Sequence, residues 1–200
     1  MPFFRKNQKT VLFVHIPKTG GTSIELTLRH HCRLFFYSPE KPILNSSPQH
    51  FPIKDINDIF GSSFYDYSFS IIRNPYKRIE SEYFYQKSMT KNLPGFNEWL
   101  EKSIAIYLEN PFYMDNHFRP QSYFLDDSVA IFRFEDGLEK PFLKVCSELG
   151  LTKPIELPRI LYTDKTPIQW HTESIDAVNN IYSSDFEKFG YRVLHKDTSR

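Results

Sequence analysis

The feature that most restricts the fold is a short apolar run that leads through a loop of distinctive chemistry into a helix signal. Residues 11–16 read as a buried strand. They run into Pro17-Lys18-Thr19-Gly20-Gly21-Thr22-Ser23, where Thr22 and Ser23 can cap a helix reaching about residue 31. Strand, loop and helix in that order build an anion site. Backbone N–H groups at a helix N-terminus point at an anion, and the helix dipole favours negative charge there. Gly20 and Gly21 let the backbone approach closely. The hydroxyls of Thr19, Thr22 and Ser23 can donate to phosphate oxygens, and Lys18 supplies a charge. A Walker A loop carries its lysine after the glycines. Here Lys18 comes before them, which places its amine where it can meet a leaving-group oxygen.

The same strand-to-helix rhythm recurs twice. Residues 69–72 and 130–134 are short apolar strands bounded by breakers. After the first of these, Asn74 is a capping type and Pro75 suits the first helical position, predicting a helix over 76 to about 86. After the second, Leu138, Phe142, Val145 and Leu149 recur at helical spacing, and Gly150 ends the run. Further helices are expected over 96–107 and 174–189. In the latter, Ile175, Val178, Ile181, Tyr182, Phe186 and Phe189 form one stripe, read as core packing. Residues 38–52, rich in Pro and Ser, read as an irregular loop. The expected fold is α/β: a P-loop-like three-layer fold with a central parallel sheet flanked by helices. With 200 residues, 40% of them apolar, one core and a single domain over 1–200 are expected.

A formal charge of +1 gives no global field to draw in DNA or RNA, so any anion site must be built locally. Of the two cysteines, Cys146 lies on a helical apolar face and reads as a buried small hydrophobe rather than half of a disulfide. No His/Cys ligand cluster suggests a metal. No apolar run approaches membrane-spanning length, and the chain reads as a soluble, cytoplasmic protein. Oligomeric state is left open.

A second anion motif follows the strand at 69–72. Arg73 sits at its C-terminal end, where open α/β sheets bind ligands, and its planar fork suits a phosphate monoester. Ser81, two turns into the next helix, can present a hydroxyl to the same anion. Together the two motifs resemble the PAPS-dependent sulfotransferase superfamily, specifically its carbohydrate-type branch of heparan 2-O- and chondroitin-type enzymes and bacterial relatives. PAPS is 3′-phosphoadenosine 5′-phosphosulfate, the sulfuryl donor; its product is adenosine 3′,5′-bisphosphate, PAP. The resemblance implies that Lys18, Thr19, Gly20, Gly21, Thr22 and Ser23 bind the 5′-phosphosulfate. It implies that Arg73 and Ser81 bind the 3′-phosphate. It extends over Asn116-His117-Phe118-Arg119-Pro120-Gln121, over Arg133-Phe134-Glu135-Asp136, and over the closing Asp185-Phe186-Glu187-Lys188-Phe189-Gly190-Tyr191. A late loop, Tyr162-Thr163-Asp164-Lys165-Thr166, resembles a segment near the donor nucleotide, where Lys165 can reach the 3′-phosphate. Tyr76 stands where a typical relative carries Trp.

Sulfuryl transfer is an in-line displacement at sulfur. It needs a cation at the departing bridging oxygen, for which Lys18 is the candidate, and a base for the acceptor hydroxyl. The scheme requires no metal. His50, in Gln49-His50-Phe51, is the first choice of base, because the resemblance places a catalytic His or Glu there and imidazole titrates near neutral pH. His117 is the second candidate and Glu25 the third; His117 and Arg119 are also read as acceptor-binding. The resemblance makes a saccharide the leading acceptor, with other hydroxyl-bearing molecules open. Phe35, Phe36, Tyr37, Phe112, Tyr113 and Phe118 are candidate faces for stacking sugars. The loop at 38–52 is expected to close over the acceptor. Two alternatives compete: a PAP- or PAPS-binding module without catalysis, and a P-loop-type nucleotide kinase. The loop order argues against the kinase, although Asp136 lies near a strand end where a magnesium ligand would be.

Overall fold

The computed structural model describes residues 2–38, 45–152, 155, 157 and 166–195. In chain order its strands and α-helices are β1 (Phe3–Lys6), β2 (Lys9–Val14), α1 (Gly21–Leu28), β3 (Arg33–Phe35), α2 (Ile53–Phe60), β4 (Tyr67–Ile72), α3 (Pro75–Met89), α4 (Phe96–Glu109), β5 (Ala130–Arg133), α5 (Glu139–Glu148), α6 (Thr172–Ile181) and α7 (Ser183–Phe189). The chain divides into two compact units, residues 1–73 with 123–162 and residues 74–122 with 163–200.

The first unit carries the sheet, in the order β3-β1-β2-β4-β5. β2, β4 and β5 are parallel, in a register that sets Phe13 beside Phe69 and Phe69 beside Ala130. Alternation along the strands gives the sheet two apolar faces. One face, with Phe4, Val11, Phe13, Phe69 and Ile71, is covered by Ile24 and Leu28 of α1 and by Phe142 and Val145 of α5. On the other, Phe3 packs edge-on against Phe60 at the end of α2 and against Phe64. Helix, sheet and helix give the expected three layers. Phe13 and Phe69 are fully buried and stacked, with centroids 4.7 Å apart. Burying each such ring contributes about 1.5–3 kcal/mol.

The sheet is mixed, not parallel throughout. β1 pairs antiparallel with both β2 and β3. The cause is the two-residue turn Asn7-Gln8, both left-handed at φ 50° and 66°, which joins β1 to β2 as a tight hairpin. Other boundaries also shift. The first helix starts at Gly21, behind Gly20 at φ 86°, so Thr22 and Ser23 lie inside its first turn rather than capping it. The expected helix over 174–189 is two helices, α6 and α7, divided at Tyr182. The division accompanies two buried polar contacts: the Tyr182 hydroxyl donates to the Phe118 carbonyl, and Asp185 accepts from the chain at Gln121 and Ser122. Gly150 ends α5 as expected, at φ 65°, with Leu151 N–H donating to the Cys146 carbonyl.

The second unit is helical. The Asn74 side chain caps α3, accepting from the N–H groups of Tyr76 and Lys77. Its core joins Tyr76, Ile79 and Tyr83 of α3, Trp99 and Leu100 of α4, Phe118, and Val178, Tyr182 and Phe186. Fully buried Asp185 accepts from Gln121 N–H at 2.8 Å, Gln121 Nε2 at 3.2 Å and Ser122 N–H at 2.8 Å. Asp185→Ala strands two of these backbone donors. Leaving a buried donor unmade costs roughly 1–3 kcal/mol. The variant is expected to lose about 3 kcal/mol, read as a fall in Tm of about 6–12 °C. A Tm within about 1 °C of the parent's would show that Asp185 holds nothing.

Among the described residues, no helix is long and apolar enough to cross a membrane.

Candidate active site

Three loops leave the C-terminal ends of the parallel strands, where such sheets bind ligands. β2 runs into His15 and the loop at Pro17–Ser23, β4 into Arg73, and β5 into a 3-10 turn at Phe134–Asp136. The first loop has two left-handed residues, Lys18 at φ 67° and Gly20 at φ 86°. At Gly20 a Cβ would lie 2.8 Å from Phe134 Cε2, so no side chain fits there. Phe134 also faces Arg73, whose guanidinium carbon stands 4.4 Å from the ring centroid. Arg73 Nη1 donates to the Lys18 carbonyl at 3.1 Å. Lys18, Gly20, Arg73 and Phe134 are therefore fastened together in the first unit.

Beneath that loop lies a buried polar cluster. His15, Glu25, Gln49 and His50 are 4%, 2%, 9% and 6% exposed. His15 Nδ1 is 2.5 Å from Glu25 Oε1, a close ion-pair contact that lacks hydrogen-bond geometry, since that buried oxygen has no hydrogen-bond partner. Gln49 Nε2 is 3.3 Å from Glu25 Oε2 and 3.2 Å from His15 Nδ1. The Gln49 amide can donate to both, one N–H to the carboxylate and one to the imidazole nitrogen. His50 Nδ1 is 3.2 Å from the His15 carbonyl oxygen. A carbonyl only accepts, so His50 carries its proton on Nδ1, and in the neutral ring the lone pair belongs to Nε2. Tyr37 lies beside the cluster. Burial, and then the Glu25 charge, push its phenol pKa up, while Arg29 and a hydrogen bond from Gln49 act the other way.

The second unit holds a separate histidine–carboxylate pair. His117 Nδ1 is 2.7 Å from Oε2 of Glu82, a residue 1% exposed on α3. Glu82 Oε1 accepts from Gln86 Nε2 at 2.7 Å. Arg78, also 1% exposed, donates to the carbonyls of His117 at 2.7 Å and Arg119 at 2.8 Å. Tyr182, its pKa raised by burial, keeps its proton and donates to the Phe118 carbonyl. Just before His117, residues Met114, Asp115 and Asn116 are all left-handed, at φ 48°, 59° and 67°. Such backbone costs roughly 1–2 kcal/mol per residue and gathers at functional sites. Arg119 stacks on Phe112, its guanidinium carbon 4.9 Å from the centroid.

A family profile described as "Sulfotransferase family" matches residues 1–192. The chain belongs to the sulfotransferase family. No curated protein and no solved structure matches it. As a PAPS-dependent sulfotransferase, the protein transfers a sulfuryl group from PAPS to a hydroxyl-bearing acceptor.

Within the sulfotransferase, Lys18 to Ser23, His50 and Arg73 fall in the first unit, and Ser81, His117 and Arg119 in the second. Lys165 and residues 39–44 of the loop at 38–52 lie outside the described residues. Thr19 differs from expectation. It is fully buried, and its hydroxyl donates inward to the Ile16 carbonyl at 2.8 Å, so that proton is not directed at a phosphate. The aromatic faces differ too. Phe35 and Phe36 are half-buried, stacked on Phe3 at 5.2 Å and packed against Phe60 at 4.8 Å, and Phe118 is fully buried in the core. Sequence reasoning missed His15 and Phe134 beside the loop of the first unit, and Glu82 beside His117 in the second. The only available signal was position: His15 ends the strand before the loop, and Glu82 follows Ser81. Among the described residues, no three His, Cys, Asp or Glu side chains gather as a metal site.

Proposed function

We propose that the enzyme sulfates a saccharide hydroxyl, with His50 as general base and Lys18 at the leaving oxygen. The acceptor oxygen forms a bond to sulfur as the bond from sulfur to the 5′-phosphate oxygen breaks. The acceptor proton passes to His50 Nε2, and PAP departs with its new phosphate charge facing Lys18. The observation that carries this reading is the His50 tautomer. The hydrogen bond of Nδ1 to the His15 carbonyl puts the lone pair of the neutral ring on Nε2, in the same unit as the donor loop. The loop from Lys18 to Ser23 takes the 5′-phosphosulfate, Thr19 through its backbone. Arg73, with Ser81 and Lys165 on the strength of the sequence pattern, takes the 3′-phosphate. His117 and Arg119 are assigned to the acceptor. The family match runs across both units, which supports one sulfotransferase domain. A reducing, cytoplasmic setting fits two unpaired cysteines, with the Cys32 thiol pushed up to about 11 by burial.

Calorimetric titration with PAP, using AMP and ATP as controls, tests the donor site. PAP is expected to bind tightly, AMP weakly, and Arg73→Ala to lose about 2 kcal/mol, some thirtyfold in Kd. No preference for the 3′-phosphate would overturn the site. Sulfuryl transfer from radiolabelled PAPS to a panel of glycosides, with non-sugar alcohols alongside, tests the acceptor class. Transfer only to the non-sugar alcohols would overturn the saccharide.

The Glu82 contact favours a second reading of the base. A buried carboxylate on Nδ1 orients an imidazole and stabilises its protonated form, as in catalytic triads. If His117 is the base, Glu82→Gln lowers turnover by about 10²-fold or more, and His50→Gln does not. If His117 binds the acceptor, Glu82→Gln instead raises the acceptor KM with kcat preserved.

A further inference from the structure

His15 and Glu25 form a buried pair to which the roles above give no part. Sequestering two such groups is costly unless both are well paired, and apolar residues of similar size are often as stable. The pair therefore asks for an explanation other than stability. Its contacts supply one, because His15 meets both parts of the proposed machinery. Towards the donor loop, its ring lies so close to Gly21 that a Cβ there would sit 2.7 Å from His15 Cδ2 and Nε2. Its Nδ1 lies 2.5 Å from Oε1 of Glu25, one turn along the helix that the loop begins. Towards the base, its carbonyl accepts from His50 Nδ1, and its ring meets the His50 ring edge-on at 5.1 Å. Glu25 completes the link through Gln49, the residue before His50 in the 3-10 turn Pro48–His50.

We infer that His15, Glu25 and Gln49 are positioning residues that hold His50 in its Nδ1–H tautomer at a fixed place beside the donor loop. The inference rests on the reading of His50 as base. It also reassigns Glu25, the third candidate for that role. One Glu25 oxygen faces His15 and the other accepts from Gln49, so the carboxylate anchors the base segment.

The test replaces the pair by apolar residues of like volume, His15→Phe with Glu25→Leu, in the full chain. Gln49→Met, which keeps His15 and Glu25 but removes the amide that joins them to the base segment, carries the test if the double variant does not fold. Long-range nitrogen–proton NMR correlations report the His50 tautomer without any acceptor. Calorimetry with PAP reports the donor loop. Sulfuryl transfer from PAPS to the glycoside panel reports turnover. In both variants the His50 ring is expected to leave the pure Nδ1–H form and kcat to fall about 10²-fold, the scale of a misplaced catalytic group, while PAP affinity is kept. Unchanged turnover together with an unchanged His50 spectrum in a folded variant overturns the inference. A fall in turnover with the His50 spectrum unmoved overturns it as well, since the pair would then act elsewhere. His50→Gln runs alongside. If that variant turns over normally, the base assignment fails, and the ring spectra still decide whether the cluster positions His50.

Discussion

His50→Ala and His50→Gln are each expected to lower turnover by about 10²–10⁴-fold, the usual contribution of a positioned general base, while PAP binding is retained. The two variants separate chemistry from packing. His50 is 6% exposed and wedged against His15, so alanine leaves a void as well as removing a base. Glutamine largely fills that space, and its amide can still donate to the His15 carbonyl, but it cannot take up a proton. Equal losses in both variants assign the effect to the proton. A loss confined to alanine would make His50 a packing residue. The pH profile adds an independent sign. A base must be unprotonated to act, so parental turnover should fall as pH drops and the ring is protonated, and residual turnover in the glutamine variant should lack that limb. Near-normal turnover in both variants, measured as steady-state transfer from PAPS, sinks the assignment.

What the chain discloses before it folds follows from how local each interaction is. β2, β4 and β5 are legible because each holds a short apolar run between breakers, and β2 and β4, buried on both faces of the sheet, have little other place to go. α3 is legible because its cap, Asn74-Pro75, lies within the first turn it stabilises. β1 and β3 are not legible in the same way. Phe3–Lys6 is half polar, and it becomes a strand only because the Asn7-Gln8 turn folds it back on β2. Gln at a left-handed position is no hairpin signal. The division at Tyr182 could not be read from the apolar stripe, since it accompanies contacts to a segment more than sixty positions away.

The site shows the same divide. Glycines, a lysine and an arginine at strand ends announce an anion site, because backbone approach and fixed charge are local requirements. Partners of buried polar groups are not local. Nothing in the sequence says that Thr19 turns inward to Ile16, that Glu82 lies behind His117, or that His15 pairs with Glu25. The aromatics show the cost of ignoring this. Phe35 and Phe36 look like free sugar faces in isolation, but each lays part of its ring against Phe3 or Phe60.

Lys18 offers the sharpest separation of catalysis from stability, because the loop makes the two pull in opposite directions. Lys18→Ala is expected to lower kcat by about 10²–10³-fold, the usual scale for losing one group that stabilises charge developing in the transition state. PAP affinity should fall far less, since the bridging oxygen carries its full charge only as the bond to sulfur breaks. Lys18 also sits at φ 67°, a left-handed conformation that glycine adopts without strain. Lys18→Gly should therefore lose the same turnover and yet gain about 1 kcal/mol of stability, or about 2–4 °C in Tm. A residue kept for its contribution to the fold cannot give that pair of results, because its removal would lower both quantities. Equal losses in kcat and PAP affinity would reduce Lys18 to a binding group, and the search for the group that meets the leaving oxygen would then move to Arg73, whose guanidinium holds the same loop through the Lys18 carbonyl.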